Sequence, residues 1–374
     1  MAAVMGWQIL WALVFGFFIS AAIQAVVSHR EMARLLPDDG PGSIARATAL
    51  GAASSSCSYA AVAIGRSIFR KGGNFTAAMA FQFASTNLVV ELGLVLAILI
   101  GWRFTAATWA GGLVMIVLLV VLMRLVIRAP LVEQARIQAD KGRAGRMEGH
   151  AAMDMAVTEG PIWRRLTSAK GLTATSHYFW MDWASLWFDI GLGLVIAGAV
   201  AAWVPSDVWA NLFAAGNPES ARIVGPLIGP LIAVVTFVCS VGNVPLAAVL
   251  WNGGASFGGV IAFIFGDLIV LPILDIYRRY YGLKAAALLA VVFYAAMVGA
   301  AYVIEAVFGV LRLIPTTRTT TVQQMSFTWS YTTYLDLAAL GLAAALLWRF
   351  VSTGGPEMLK AMGRPGGHVH AGQH

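Results

Sequence analysis

Residues 54–65 read SSSCSYAAVAIG, so four serines and a cysteine fall within a chain that is otherwise almost continuously apolar. Arg30, Arg34 and Arg46 flank the surrounding hydrophobic run on its N-terminal side, and Arg66, Arg70 and Lys71 flank its C-terminal side. Basic residues collect on the cytoplasmic side of membrane segments, so both ends of this run belong on one face. A simple span cannot satisfy that. A re-entrant hairpin entering and leaving by the cytoplasmic face does, with the Ser54–Ser58 cluster at its tip.

The rest of the chain agrees with a membrane setting. Hydrophobic residues make up 59% and charged residues 11%, with a mean hydropathy of +0.77, which exceeds soluble domains and matches a polytopic membrane protein. Spans long enough for a hydrocarbon core of about 30 Å are expected near 7–28, 76–101, 105–127, 180–203, 257–275, 285–308 and 333–351. The first lacks a basic leader and an A-x-A site before SHREMARLLPDD (28–39), so it is expected to be a retained helix. The net charge of +7 sits beside helix ends, and no basic, aromatic-interleaved module argues for nucleic acid. Cys57 and Cys239 are the two cysteines, and their separation fits neither a disulfide framework nor a zinc motif. No G-x-x-x-x-G-K-[ST], C-x-x-C, H-E-x-x-H or G-x-S-x-G occurs, so neither ATPase, cofactor nor enzyme site is expected.

An internal repeat appears at an offset of 182 residues. Cys57-Ser58 falls on Cys239-Ser240, and eight of 32 ungapped positions are identical, including Gly72 with Gly254 and Phe75 with Phe257; composition alone gives roughly two or three. The loop 128–179 holds Arg128, Arg136, Lys141, Arg143, Arg146, Arg164, Arg165 and Lys170, which makes it cytoplasmic. If 222–256 is a hairpin entering from outside, Arg278, Arg279 and Lys284 also land inside. Each repeat then has three spans and one hairpin, an odd number of crossings, so the copies are inverted. GPLIGPLI (225–232) and CSVGNVPLA (239–247) supply the Gly and Pro expected to break the second hairpin. The expected fold is therefore an all-α polytopic membrane protein with two inverted-topology repeats. Each repeat has three transmembrane helices plus one re-entrant or broken helical hairpin, and an extra C-terminal transmembrane helix follows. The divisions are 1–128 (repeat 1), 129–179 (cytoplasmic loop, partly helical), 180–308 (repeat 2), 309–352 (linker and last span) and 353–374 (flexible cytoplasmic tail), with the N-terminus outside.

Polar groups inside a membrane are functional candidates. At the hairpin tips these are Ser56, Cys57 and Ser58 in one copy and Cys239, Ser240 and Asn243 in the other. Inverted symmetry brings both tips to the midplane, and a facing pair of thiols is a soft-ligand site for trivalent arsenic, antimony or a thiophilic metal. Within the spans, Gln82, Asn87 and Glu91 lie in FQFASTNLVVELG, Asp182 and Asp189 in MDWASLWFDIG, and Asp267 in FIFGDLIVLP. Asn87 and Glu91 share a helix face. Glu91, Asp267 and Asp189 are the proton-coupling candidates, whereas Asp182, Asp275, Glu305 and His177 read as interfacial.

Residues 54–93 and 239–282 resemble the ArsP-type bacterial permeases, and the resemblance covers most of 1–310. It implies a bacterial inner-membrane efflux permease for trivalent organoarsenicals such as methylarsenite, working without ATP hydrolysis, with the family's Cys-Ser positions at Cys57-Ser58 and Cys239-Ser240. The expected partners are that small molecule and the lipid bilayer, and a homo-oligomer is compatible. Alternatives are a permease for another solute, oxyanion or thiophilic metal, a membrane thiol oxidoreductase, and a scaffold subunit.

Overall fold

The computed structural model describes residues 2–26, 35–54, 58–70, 72–140, 155–203, 208, 211–213, 216–236, 240–318 and 331–362. Among them there are helices and no strands. The first half runs α1 (Ala2–Gln24), α2 (Pro41–Ser54), α3 (Ser58–Arg70), α4 (Phe75–Asn87), α5 (Val90–Leu99) and α6 (Trp102–Val126), followed by α7 (Ala129–Asp140) and α8 (Ile162–Thr167). The second runs α9 (Ala169–Trp203), α10 (Pro218–Thr236), α11 (Ser240–Asn252), α12 (Phe257–Phe265) with a 3₁₀ turn over Gly266–Ile269, α13 (Leu271–Tyr281) and α14 (Leu283–Val310). Helices α15 (Tyr331–Ser352) and α16 (Gly355–Met362) follow. Among the described residues four stretches are long and apolar enough to cross a membrane, and the pair Phe257–Ile269 and Leu271–Tyr281, bent by 42°, makes a fifth if it is one span. The chain is a multi-pass membrane protein.

Adding 182 to the bounds of α3 gives 240–252, and adding it to those of α4 gives 257–269, the limits of α11 and of α12 with its 3₁₀ turn. Local chemistry recurs with the bounds. The Asn74 side chain accepts the Ala77 amide to cap α4, and at the equivalent position Ser256 accepts the Gly259 amide to cap α12. Gly72 and Gly254 both take positive φ, at 98° and 106°, a left-handed turn that a side chain would strain. Contacts between the halves recur with the halves exchanged. Phe83 meets Phe293 edge-on at 4.7 Å, and the equivalent Phe265 packs on Gly111. Helix α5 packs on α11 while α13 packs on α3, and α1 and α6 each pack on their own counterparts α9 and α14.

Helices α2 and α3 both fold onto α4. The Asn74 amide donates to the Leu36 carbonyl (2.9 Å), joining the chain's entry to its exit. Gly51 of α2 packs against Phe81 and Ala84, and Gly65 of α3 packs against Gln82. In one straight helix residues 51 and 65 would stand about 21 Å apart, so they could not reach the same turn of α4. With 14 and 13 residues, each arm is only about 20 Å long, short of a membrane crossing.

Several expectations require correction. GPLIGPLI does not break the chain: α10 continues through Pro226 and Pro230, and α11 contains Pro245. The prolines free the carbonyls of Arg222 and Pro226, and side chains of α14 bond the carbonyls next to them. Tyr302 and Tyr294 of α14 donate to the carbonyls of Ile223 (2.7 Å) and Leu227 (2.9 Å), and Gly225 and Gly229 let α10 lie against Ser256, Gly259 and Phe263. The stretch 257–275 is interrupted at Val270, where Pro272 sets the first turn of α13. Its first-half equivalent is interrupted at Leu88 and Val89. Helix α9 starts at Ala169, so His177 lies within it, its Nε2 2.7 Å from Thr353 Oγ1. The tail carries α16.

Because Gly51 closes the hairpin against α4, Gly51→Val is expected to destabilise the protein by about 1–3 kcal/mol, read as a lower melting temperature in detergent. Gly341→Val, with open space around its Cα, should leave the melt unchanged.

Candidate functional site

The interrupted helices bring polar side chains together in the interior. Ser58, the first residue of α3, donates through Oγ to Asp267 Oδ2 at 2.7 Å. Both residues are buried, at 1% and 0% exposure. This bond joins a hairpin of the first half to the 3₁₀ turn of the second, where the tighter winding of Gly266–Ile269 begins the interruption. Tyr277 of α13 donates to Gln82 Oε1 at 2.9 Å and lies within electrostatic reach of Asp267. Thr86 Oγ1 donates to the Gln82 carbonyl (3.2 Å), and Asn87 Nδ2 donates to Thr86 Oγ1 (2.9 Å). Ser58, Gln82 and Asp267 thus fall in one neighbourhood, with Asn87 joined to it along α4.

Part of this polar interior is not satisfied. Gln82 Nε2, Ser85 Oγ, Asn87 Oδ1 and Thr108 Oγ1 are buried without a hydrogen-bond partner among the described residues. An unpaired buried polar atom is costly, about 1–3 kcal/mol, so such atoms on α4 (Gln82, Ser85, Asn87) and α6 (Thr108) call for a partner, and water or a solute can supply one.

Other candidates lie elsewhere. Glu91 is buried in the first turn of α5, where a carboxylate is favoured by the helix dipole, and Gly16 of α1 passes directly against it. Asn243 is buried on α11. Glu305 accepts the Gly258 amide at the start of α12 and sits 3.6 Å from Arg222. Asp275 is surface-lying, paired with Arg278 and Arg279 at 2.6 Å each. Ser56, Cys57 and Cys239 lie outside the described residues, as do the side chains of Asp182, Asp189 and Ser240. Among the described residues no three His, Cys, Asp or Glu side chains form a metal site. Sequence reasoning did not single out Tyr277 or Ser85. The offset of 182 was the available signal for the latter, because it carries Asp267 onto Ser85.

Ser58→Ala removes the hydroxyl that holds Asp267, and is expected to cost about 1–3 kcal/mol, measured as a lower melting temperature. Ser58→Thr keeps the hydroxyl and should recover most of the loss.

Comparison with known proteins agrees with this architecture. The ArsP_1 family model, described as "Predicted permease", matches residues 1–306. A Mycobacterium tuberculosis protein, "Putative permease Rv2963", is 56% identical over 339 residues, covering 90% of this chain and 84% of that protein. No solved structure matches. The described helices α1 to α14 carry nearly all of the matched region, so the chain belongs to the ArsP-type permease family.

Proposed function

We propose that the protein is a secondary transporter of the inner membrane that exports trivalent organoarsenicals such as methylarsenite in exchange for protons. The observation that carries this reading is the Ser58–Asp267 bond (2.7 Å): a buried carboxylate stands where the hairpin of one half meets the interrupted helix of the other. Transporters built from inverted repeats bind substrate at such discontinuities.

The inverted arrangement rests on parity. Between equivalent points of the halves the chain makes three crossings, those of α1, α4 with α5, and α6, while α2 and α3 return to their own side. An odd number turns the second copy over. With the basic 128–179 segment inside, the N-terminus is outside, the C-terminus is cytoplasmic, the first hairpin opens to the cytoplasm and the second to the exterior.

The soft-ligand chemistry comes from the cysteines. Helices α2 and α3 end and begin at Ser54 and Ser58, on either side of Cys57, and α10 and α11 at Thr236 and Ser240, on either side of Cys239. Trivalent arsenic exchanges hydroxyl ligands for thiolates, and release requires that this binding be labile. Protonation of Asp267 converts a charge-assisted acceptor into a neutral group, which weakens its hold on Ser58 and frees the first hairpin to move. As arsenic leaves, each As–S bond is hydrolysed, water giving its hydroxyl to arsenic and its proton to the sulfur, and the Asp267 proton is released to the cytoplasm when the Ser58 bond re-forms.

Everted membrane vesicles test this. They should accumulate methylarsenite when their interior is made acidic. Cys57→Ser or Cys239→Ser should lower uptake at least about tenfold, equivalent to about 1.4 kcal/mol of binding. Asp267→Asn should remove the response to the pH gradient. Uptake untouched by the cysteine substitutions would leave the serine, asparagine and backbone groups as the binding surface, and uptake indifferent to the gradient would refute proton coupling.

A further inference from the structure

The two hairpins are fastened at their bases by the same device. Helix α3 ends in a left-handed turn at Gly72, with the Gly72 amide donating to Phe69 O (3.2 Å) and the Gly73 amide to Ile68 O (3.0 Å). Helix α11 ends identically, with Gly254 donating to Trp251 O (3.2 Å) and Ala255 to Leu250 O (3.0 Å). Such an end still presents carbonyl lone pairs and the negative pole of the helix, both of which favour a cation. Arg136 fills that role for α3. Its Nη1 donates to Phe69 O (2.8 Å), its Nη2 to Gly73 O (3.5 Å), and its guanidinium lies 4.3 Å from the Phe69 ring centroid. Arg318 fills it for α11. Its Nη1 donates to Trp251 O (3.1 Å) and Ala255 O (3.0 Å), and the guanidinium lies 4.6 Å from the Trp251 ring centroid.

Every member of one set maps onto the other at an offset of 182: Arg136 onto Arg318, Phe69 onto Trp251, Gly73 onto Ala255. The scaffolds beneath them differ. Arg136 stands on α7, whereas Arg318 stands on the irregular segment that follows α14 and Pro315. The same contact is therefore built twice from unlike local structure, which points to the contact rather than its scaffold as the shared element. Neither guanidinium forms an ion pair among the described residues. Each is held by carbonyls and a ring, and the buried Glu305 lies within electrostatic reach of Arg318 without an ion-pair contact to it.

The two fastenings are unequal. The first is reciprocated by Arg66 of α3, which donates to the Ala139 carbonyl of α7 through Nη2 (2.7 Å) and Nε (3.2 Å) and stacks 4.2 Å from the Tyr280 ring centroid. The equivalent of Arg66 is Ala248, so the second lacks that return grip. On its side the buried Glu305 instead ties the start of α12 to α14 and faces Arg222 of α10.

We propose that Arg136 and Arg318 are a matched pair of positioning residues, each latching the base of one hairpin and each released when the transport path opens on its own face. The proposal rests on the inverted arrangement given under Proposed function, which puts Arg136 at the cytoplasmic face and Arg318 at the outer face. A contact made in one state and lost in another sets the balance between them, so removing one latch favours access from that side.

The native cysteines of the full-length protein report the result, through labelling with a membrane-impermeant maleimide in everted and right-side-out vesicles. Arg136→Gln should raise labelling from the cytoplasmic face about three- to tenfold and leave outer labelling unchanged. Arg318→Gln should do the reverse. Arg136→Lys and Arg318→Lys keep the charge but lose the planar fork, and should shift labelling in the same directions by less. Equal gains at both faces, or no gain in folded variants, overturns the latches. So does failure of both the Gln and Lys variants to fold, since the arginines would then be folding elements. The topology is tested separately by Gln134→Cys and Thr316→Cys in a Cys57→Ser/Cys239→Ser background. Labelling from opposite faces supports the inverted arrangement, and labelling from one face refutes that arrangement whatever the latches do.

Discussion

A helix that stops inside a membrane leaves amides at one end and carbonyls at the other, and lipid offers them nothing. The proposed arrangement of the short helices turns on that constraint. Helices α2, α3 and α11, at 14, 13 and 13 residues, are too short to carry their ends to both interfaces. Their ends must be satisfied by the protein. At the bases, which the proposed topology puts at the membrane faces, the protein also closes the ends itself: a left-handed glycine closes each second arm, an arginine takes the remaining carbonyls, and Asn74 or Ser256 caps the helix that follows. At the start of α3 the Ser58 hydroxyl is spent on Asp267 of the other half. The ends of the short helices are therefore also the points at which the halves grip one another.

Much of this was readable in the sequence, and the parts that were not share a physical reason. Long apolar runs give α6 and α14 with little error, because a span is a property of composition over a window. The paired basic flanks of 46 and 66–71 point to a hairpin, and the Cys-Ser identities give the offset. Asn74 and Ser256 escape an identity count because two different side chains perform the same cap. Arg136 and Arg318 lie outside the stretch where identities cluster. The link between Tyr277 and Gln82 spans 195 residues and leaves no local trace.

The prolines show the opposite failure, a local signal overruled by packing. GPLIGPLI carries two helix breakers, yet α10 continues through both. Two tyrosines of α14 support carbonyls of the weakened stretch, and the two glycines of the same motif bring α10 close to α12. The motif thus reads better as a close-packing surface than as a break. The interruption that matters falls instead at Val270, within a stretch that composition reads as one span. There Asp267, in a tight 3₁₀ turn, gains by facing Ser58 rather than lipid.

The polar atoms of the interior are unevenly satisfied. Thr105 and Thr175 spend their hydroxyls on nearby carbonyls, as interhelical and intrahelical packing requires. Gln82, Ser85, Asn87 and Thr108 keep one atom each in reserve, although all four are buried. A fully satisfied site would hold its solute or its own closed state too firmly to turn over, and an apolar one would not admit a polar solute at all. A partly satisfied interior lies between those limits, binding well enough to admit and weakly enough to release. The transport cycle proposed above needs that balance, and in that proposal the fastenings at the hairpin bases hold the helices around it.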